Sequence, residues 1–447
     1  MSLSVTNQLN LPKTLLVASF VTCILACAVL ATVLDSFWVF APLFVAALMY
    51  SIFRWPLAVI ASVLFVMPFL PLLLLALKAS GIPWAQAASS SKELALLMAA
   101  VVLVYRQGFK LEKIDMLLIG LLAWAVMISL LQPTSSTWIG LKDDFDFALA
   151  FFVGRIIFLS PRWIKTGLWV AGTVATLGLV EFFIIGIGPR MLLMRISDPA
   201  DLPVSLKADF FEGFRAGSTL GGPLEFGGFC AVALLAFASF HRDLPKKYFL
   251  IALLIAIGLV ASVTRMAGLG LALGLVFIAI RTGQKLKLAT ASVGSAILLL
   301  AVIIPSMGLG GFYAATLSGQ DSSIETHRTS LREKSAYVLS HPLGMGAGSV
   351  GQRAIARDPN ATLVESAYLQ FGMEYGWLGL SLFPLFCGAL FFNFRQTDSN
   401  LGLASCSACI AILTMYAFSS IHMEFGLNSW AWVIIGSGIH SRRHTTT

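Results

Sequence analysis

The sequence predicts an all-α polytopic membrane protein, and three observations carry that prediction. The 447 residues are 58% hydrophobic and only 12% charged, where a soluble globular chain carries roughly 25% charged residues; the mean hydropathy is +0.86. Apolar runs of about 18 residues or more recur along nearly the whole length, long enough for helices to cross a bilayer. The runs are continuous rather than alternating at every second residue, which excludes transmembrane strands and leaves helices as the spanning element.

Taken in order, candidate spans lie near residues 15–34, 37–54, 57–77, 91–106, 115–132, 146–160 and 164–187. A second set follows near 223–240, 247–263, 266–281, 287–305, 364–394, 401–419 and 425–440. The runs 146–160 and 425–440 are short enough to be partial or tilted, so about 12–14 transmembrane helices are expected. The first apolar run lacks a convincing cleavage site and is expected to be a retained span. Neither an internal repeat nor a Ser/Gly-rich linker divides the chain, so residues 1–447 are expected to form a single integral membrane domain.

Lys and Arg set the orientation. With the N-terminus placed in the cytoplasm, one side collects Arg54, then Arg106, Lys110 and Lys113, then Arg162 and Lys165. The same side collects Arg242, Lys246 and Lys247, then Arg281, Lys285 and Lys287, then Arg395, Arg442 and Arg443. The opposite side holds two long loops, 188–222 and 306–363, both too long for mere connectors and both carrying charges of each sign. They are expected to be extracytoplasmic and to bear the function.

The net charge of +8 is what basic insertion loops produce, so nucleic acid is not an expected partner. The six cysteines, Cys23, Cys27, Cys230, Cys387, Cys406 and Cys409, all fall in apolar runs and read as small packing residues. Asp143, Asp144 and Asp146 form an acidic cluster without the histidine or further carboxylates of a metal site, so neither metal nor other cofactor is expected. Arg155 and Glu181 lie inside apolar runs, each either a structural partner within the bundle or a cavity group.

Four segments carry the candidate chemistry. In EGFRAGSTLGGPLEFGGF, Arg215 precedes a glycine-rich turn and Pro223 opens the next span, which is either a plain helix start or an anion ligand beside a helix N-terminus. In SVTRMAGLGLALGLVF, Arg265 stands between two apolar runs, as a snorkelling anchor or as an anion clamp whose fork matches phosphate oxygens. In HRTSLREKSAYVLSHPLGMGAGSVG, an amphipathic helix with Leu331, Ala336, Val338 and Leu339 on one side ends at His341-Pro342. Its Arg328, Arg332 and Lys334 can meet anionic head groups, and His341 reads more readily as a hydrogen-bonding residue than as a base. In TLVESAYLQFGMEYGWLGL, Glu365 stands at the start of an apolar helix, as a capping acid or as a general base for a hydroxyl acceptor. Glu374, deeper on that helix, is expected to pair with another buried group.

Together these segments resemble the O-antigen ligase and polymerase family of bacterial membrane glycosyltransferases. RAGSTLGGPLEFGG is similar to that family's Arg–Gly–Thr/Ser–Pro element, SVTRMAGLGL to its Ser–Arg–Gly/Thr element, and SHPLGMGAG to its His–Pro–Leu–x–Gly–x–Gly stretch. ESAYLQFGMEYGWLG matches the ligases' His–Asn/Ser–(nine residues)–Gly–x–x–Gly motif in spacing, with Glu365 where the ligases carry histidine. That exchange points to the polymerase branch. The resemblance covers roughly residues 210–395 and implies a C-type glycosyltransferase-like bundle in the inner membrane with its active site facing the periplasm. It implies a polyprenyl-pyrophosphate-linked oligosaccharide donor whose pyrophosphate is held by Arg215 and Arg265, with Arg328, Arg332 and His341 as further substrate contacts. Glu365 would be the base in a metal-independent, inverting transfer onto a lipid-linked repeat unit, with flippase and chain-length regulator proteins as partners. A ligase, or a flippase or transporter of lipid-linked glycans, are the alternatives.

Overall fold

A computed structural model describes residues 37–81, 85–186, 189–190, 192, 215–283, 322–358, 361–394 and 399–445. Within them the chain is helical, and the sole β pairing is an isolated bridge between Val350 and Thr362. The helices are α1 (Phe37–Arg54), α2 (Pro56–Val66), α3 (Leu70–Ala79), α4 (Ala85–Gln107), α5 (Lys113–Leu131), α6 (Thr137–Ile156), α7 (Pro161–Val180) and α8 (Pro223–Phe240). Then come α9 (Lys247–Ala261), α10 (Arg265–Thr282), α11 (Ser322–Ser340), α12 (Gln352–Arg357), α13 (Ala367–Phe394), α14 (Asn400–Phe418) and α15 (Phe425–Thr445). Local chemistry sets many of the boundaries. Proline opens α2, α7 and α8, where its missing N–H costs nothing. Ser399 accepts from Gly402 N to cap α14. Gly283 ends α10 in the left-handed conformation.

Among the described residues seven helices are long and apolar enough to cross a membrane, and three shorter apolar ones accompany them. The chain is an all-α polytopic membrane protein. The expected spans at 15–34 and 287–305 lie outside the described residues, as do most of loop 188–222 and the first part of loop 306–363. The expected short span at 146–160 differs from the helix found. Helix α6 begins at Thr137 and carries Asp143, Asp144, Asp146 and Arg155 into the interior, all at 5% exposure or less. An apolar-run reading starts such a helix late because its first turns hold charges that are neutralised by other segments.

The core forms where α6 meets α13, α14 and α15. A Cβ on Gly154 would stand 2.3 Å from Val433 O, and one on Gly436 would stand 2.2 Å from Phe151 O, so α6 and α15 touch backbone to backbone. Aromatic rings fill the remaining space: Phe371 stacks on Phe383 at 4.3 Å between centroids, and Phe147 and Phe386 flank Trp432.

Helix α13 is broken in its third turn, at Gly376. Gly376 has φ 68° and ψ −159°, a left-handed φ that glycine alone adopts readily. A break inside a span releases carbonyls that lipid cannot satisfy, and other segments take them here. Met345 N donates to Met373 O at 2.8 Å, Gly346 N to Glu374 O at 3.0 Å, and Trp124 Nε1 to Tyr375 O at 2.8 Å, while Trp377 N donates to Pro342 O at 3.0 Å. The SHPLGMGAG stretch is therefore the segment that plugs the break. Gly376 serves the kink.

A second buried device ties α5 to α6. Arg155, 2% exposed, donates from Nε and Nη2 to both oxygens of Asp115 at 2.9 and 2.8 Å. Asp115 also accepts from Glu112 N at 2.8 Å at the start of α5. This resolves Arg155 as a structural partner. Removing one member strands a charge, at a cost of about 3–5 kcal/mol. Asp115→Ala should lower the thermal midpoint in detergent sharply, and the double variant Asp115→Leu with Arg155→Met should recover most of it. Equal midpoints for Asp115→Ala and wild type would refute the assignment.

Candidate active site

Arg215 leads a loop that folds back over the junction of α9 and α10. Ala216 N donates to Ala261 O at 3.0 Å, Arg215 Nε to Ser262 O at 3.2 Å, and Arg215 Nη2 to Thr264 Oγ1 at 3.4 Å. Thr264 Oγ1 in turn donates to Pro223 O at 3.0 Å, the first residue of α8. Thr264 is the residue before α10, and Arg265 opens that helix. The two arginines, fifty residues apart in sequence, thus arise from one seam. The seam is strained. Ser218 (φ 55°) and Val263 (φ 50°) are the two non-glycine residues with positive φ among those described, at a cost of about 1–3 kcal/mol each. For a β-branched residue such as Val263 this conformation is rare.

A carboxylate holds the loop in this shape. Glu181 Oε2 accepts from Gly217 N at 3.1 Å and Ser218 N at 2.6 Å, while Oε1 accepts from Arg190 Nε at 2.7 Å. Arg190 Nη1 then donates to Leu220 O at 3.0 Å. Ser218 Oγ donates to Val174 O on α7 at 2.5 Å, and Thr219 Oγ1 to Pro68 O at 2.7 Å. Glu181 is therefore a structural partner too, one that positions the Arg215 loop. Charge-assisted bonds of this kind contribute about 1.5–3 kcal/mol. Glu181→Gln keeps the shape but cannot accept from all three donors, so it should weaken binding of a pyrophosphate probe roughly tenfold with the protein still folded. Unchanged affinity would show that the loop holds its shape without Glu181.

Glu365 lies in an extended link (Leu363–Ser366) just ahead of α13, not inside its first turn, and is partly exposed. Ser366, which follows, occupies the cap position and its backbone oxygen accepts from Gln370 N at 2.9 Å. Ser366 Oγ reaches Tyr416 O, at the end of α14, at 3.5 Å. Helices α10 and α14 run antiparallel: a Cβ on Gly270 would meet Ala411 O at 2.9 Å and one on Gly274 would meet Ser407 O at 3.1 Å. One further turn brings Arg265 level with Tyr416. Arg215, Arg265 and Glu365 accordingly share one end of the bundle, around the C-terminus of α14.

The second long loop docks at the same end. Asp143, 3% exposed, accepts from Arg353 Nη1 at 2.8 Å and Arg357 Nη2 at 2.6 Å, both on α12. Arg353 Nη2 also lies 3.5 Å from Glu424 Oε2. Burial works against the Arg353 charge, but Glu424, Asp143, Asp146 and Glu225 hold its guanidinium well above the ordinary range. Below this lies a fully buried network centred on Asp144. It accepts from Tyr375 Oη at 2.5 Å and Gln370 Nε2 at 3.1 Å, His422 Nε2 sits 3.2 Å from Oδ1, and the Glu374 carboxyl lies close by. Glu374 Oε1 accepts from Val350 N at 3.2 Å, so this network also holds the loop down. The buried group that Glu374 bonds is thus the backbone amide of Val350, with the Asp144 carboxyl beside it.

Of the other predicted contacts, Arg332 is exposed on α11, and the side chain of Arg328 lies outside the described residues. His341 is exposed, its ring stacks on Tyr337 at 3.9 Å, and Nδ1 lies 3.0 Å from Tyr337 O and 2.9 Å from Ser340 Oγ, a local structural engagement. On α11, Val338 is buried while Leu331 and Leu339 are exposed, so the apolar side is divided between the protein and its surroundings. His422 and Glu424 went unnoticed in sequence because they sit in a short turn between two apolar runs. Their signal was indirect: three aspartates inside one helix require partners elsewhere.

No curated protein matches the chain. A family model described as O-antigen ligase matches residues 250–383, under a third of the length, a range that takes in Arg265, the glycine-rich plug, Asp143's two arginines and Glu365 but begins after Arg215. By that match, residues 250–383, which carry Arg265, the plug and the Glu365 link, are similar to the O-antigen ligase family.

Proposed function

We propose that this protein polymerises polyprenyl-pyrophosphate-linked glycans, moving the glycan of one lipid-linked unit onto a hydroxyl of another. The observation that carries the reading is the single seam from which Arg215 and Arg265 arise. Two guanidiniums suit a pyrophosphate, since each presents a planar fork to its oxygens and neither loses its charge. They would bind the donor and stabilise the negative charge that grows on the leaving group. Glu365, at the same end of the bundle, would take the acceptor proton. The acceptor oxygen then bonds to the anomeric carbon as the bond from that carbon to the pyrophosphate oxygen breaks. Attack opposite the leaving group inverts the anomeric centre, and polyprenyl pyrophosphate departs with the electron pair.

The distribution of basic loops supports placing this end on the periplasmic side of the inner membrane. Glu365 at the ligase histidine's position supports polymerisation over ligation. Transport is the weaker reading. It calls for helix breaks whose polar groups face a substrate, and the carbonyls released at Gly376 are bonded to protein. The deciding experiment incubates purified protein with lipid-linked repeat units and resolves the products by gel. A ladder supports the polymerase; single transfer to a lipid core or protein, with no ladder, replaces it by a ligase.

A further inference from the structure

A cavity of about 400 Å³ lies between α4, α5 and α6, and its size falls within the roughly 300–1,000 Å³ of small-molecule sites. Its walls are apolar: Leu94 and Leu97 from α4, Leu122 and Val126 from α5, Phe145 and Leu149 from α6. Leu94 and Leu97 are exposed, so the cavity opens on the outside of the bundle, where spans meet lipid chains. The first turns of α6 close one end of it, and they stand at the loop-bearing end of the molecule. Thr134 Oγ1, just ahead of α6, donates to Ala347 O in the glycine-rich plug at 2.8 Å.

Three charged residues line the same cavity: Glu93, Lys142 and Asp146. The acids are buried, at 8% and 5% exposure, whereas the Lys142 side chain is 34% exposed. Glu93 already faces Lys92 at 2.9 Å. Lys142 lies 3.6 Å from both Glu93 Oε1 and Asp143 Oδ1, close enough for charge attraction and too far for a hydrogen bond. Its N–H donors are therefore not spent on these acids. Asp143 is shared by three cations, because Arg353 and Arg357 also donate to it, at 2.8 and 2.6 Å. Arg353 divides itself between Asp143 and Glu424. Acids and bases here are comparable in number and differ in placement. Except for Glu424 the acids lie inside, and Lys142 is the charge that the cavity presents.

An apolar recess open to lipid, with an ammonium at its polar end, matches a molecule with a long apolar tail and an anionic head. We propose that the cavity holds the polyprenyl chain of the acceptor unit and that Lys142 meets its phosphate, a role that rests on the polymerase reading above. Two features favour the acceptor over the donor's own chain. First, α14 and α15 stand between the cavity and the Arg215–Arg265 seam. Helix α6 packs on α15 at Gly154, Ser405 Oγ on α14 donates to Ile434 O on α15 at 2.7 Å, and α14 packs on α10 at Gly270. Second, the cations around Asp143 lead to the candidate base. Arg353 and Arg357 stand on α12, and Gly351, which precedes that helix, donates from N to Thr362 O at 2.9 Å, shortly before Glu365. The two lipid-linked units thereby reach Glu365 from different sides, and their tails do not compete.

The test counts undecaprenyl pyrophosphate molecules bound to delipidated protein by native mass spectrometry, for wild type, Leu97→Trp, Lys142→Gln and Arg265→Lys. Leu97 is half-exposed, so tryptophan there fills the cavity from its mouth without displacing the core. Lys142→Gln keeps the test open if Leu97→Trp does not fold. Wild type is expected to hold two molecules and Leu97→Trp one. Lys142→Gln should bind one of the two roughly tenfold more weakly, the loss of one charge-assisted contact, and Arg265→Lys should weaken the other. The proposal is overturned if wild type holds none, holds one that neither cavity variant affects, or holds two that persist with unchanged affinity in both cavity variants. Displacement of the cavity molecule by an equal concentration of phosphatidylglycerol also overturns it and makes the occupant a bilayer phospholipid. If wild type holds one molecule that the cavity variants lose and Arg265→Lys leaves unchanged, the cavity stands and the Arg265 clamp falls.

Discussion

Glu365→Gln should leave a protein that folds and melts like wild type yet extends no glycan. The exchange keeps size and shape and removes the negative charge, and with it the capacity to accept a proton. General-base catalysis contributes about 10²- to 10⁴-fold, so the ladder should disappear on the time scale on which wild type completes it. The location makes this a clean comparison. Glu365 sits in an extended link ahead of the Ser366 cap and is partly exposed. A capping acid would give the opposite pattern, a lowered melting point with activity retained. A full ladder from the variant would transfer the base role elsewhere, and Glu424 is the next partly exposed carboxylate at that end of the bundle.

Arg265→Lys tests the clamp with the charge left in place. If the guanidinium grips pyrophosphate through two parallel N–H donors, an ammonium keeps the attraction and loses the fork. Charge-assisted hydrogen bonds contribute about 1.5–3 kcal/mol, so transfer should fall roughly 10- to 100-fold. The loss should appear in affinity for undecaprenyl pyrophosphate as well as in rate. Because Arg265 opens α10 directly after the strained Val263–Thr264 step, a shift there would also disturb Arg215, whose anchors are Ser262 O and Thr264 Oγ1. A variant with wild-type rate and affinity would return Arg265 to the status of an interfacial anchor.

How far this was legible in the sequence depends on the range of the interaction concerned. Helix identity is local, and the apolar runs gave α8 and α14 nearly to the residue. The start of α6 was missed because Asp143 and Asp144 look out of place until α12, α13 and the turn before α15 are folded around them. Arg215, Arg265 and Glu365 stood out as charges beside apolar runs, and their shared end of the bundle followed from loop topology. What topology could not convey was the seam, where Arg215 bonds to Thr264 beside Val263, a non-glycine residue with positive φ. Nor could it convey that Glu181 would reach the Gly217–Ser218 amides. In both cases the deciding partner is remote in sequence and its backbone conformation is unusual.

The plugged break in α13 has a consequence for biogenesis. A ribosome delivers the SHPLGMGAG stretch before the helix it plugs, and Trp124, on α5, earlier still. By the time Gly376 enters the translocon, every donor its neighbours need has already been made, and on the proposed topology the stretch has already crossed the membrane. A chain that failed to export that stretch would insert a helix with bare carbonyls in hydrocarbon, an expensive state. Export of the loop and survival of the helix are thereby coupled, and molecules threaded the wrong way would be marked for proteolysis by their own exposed backbone.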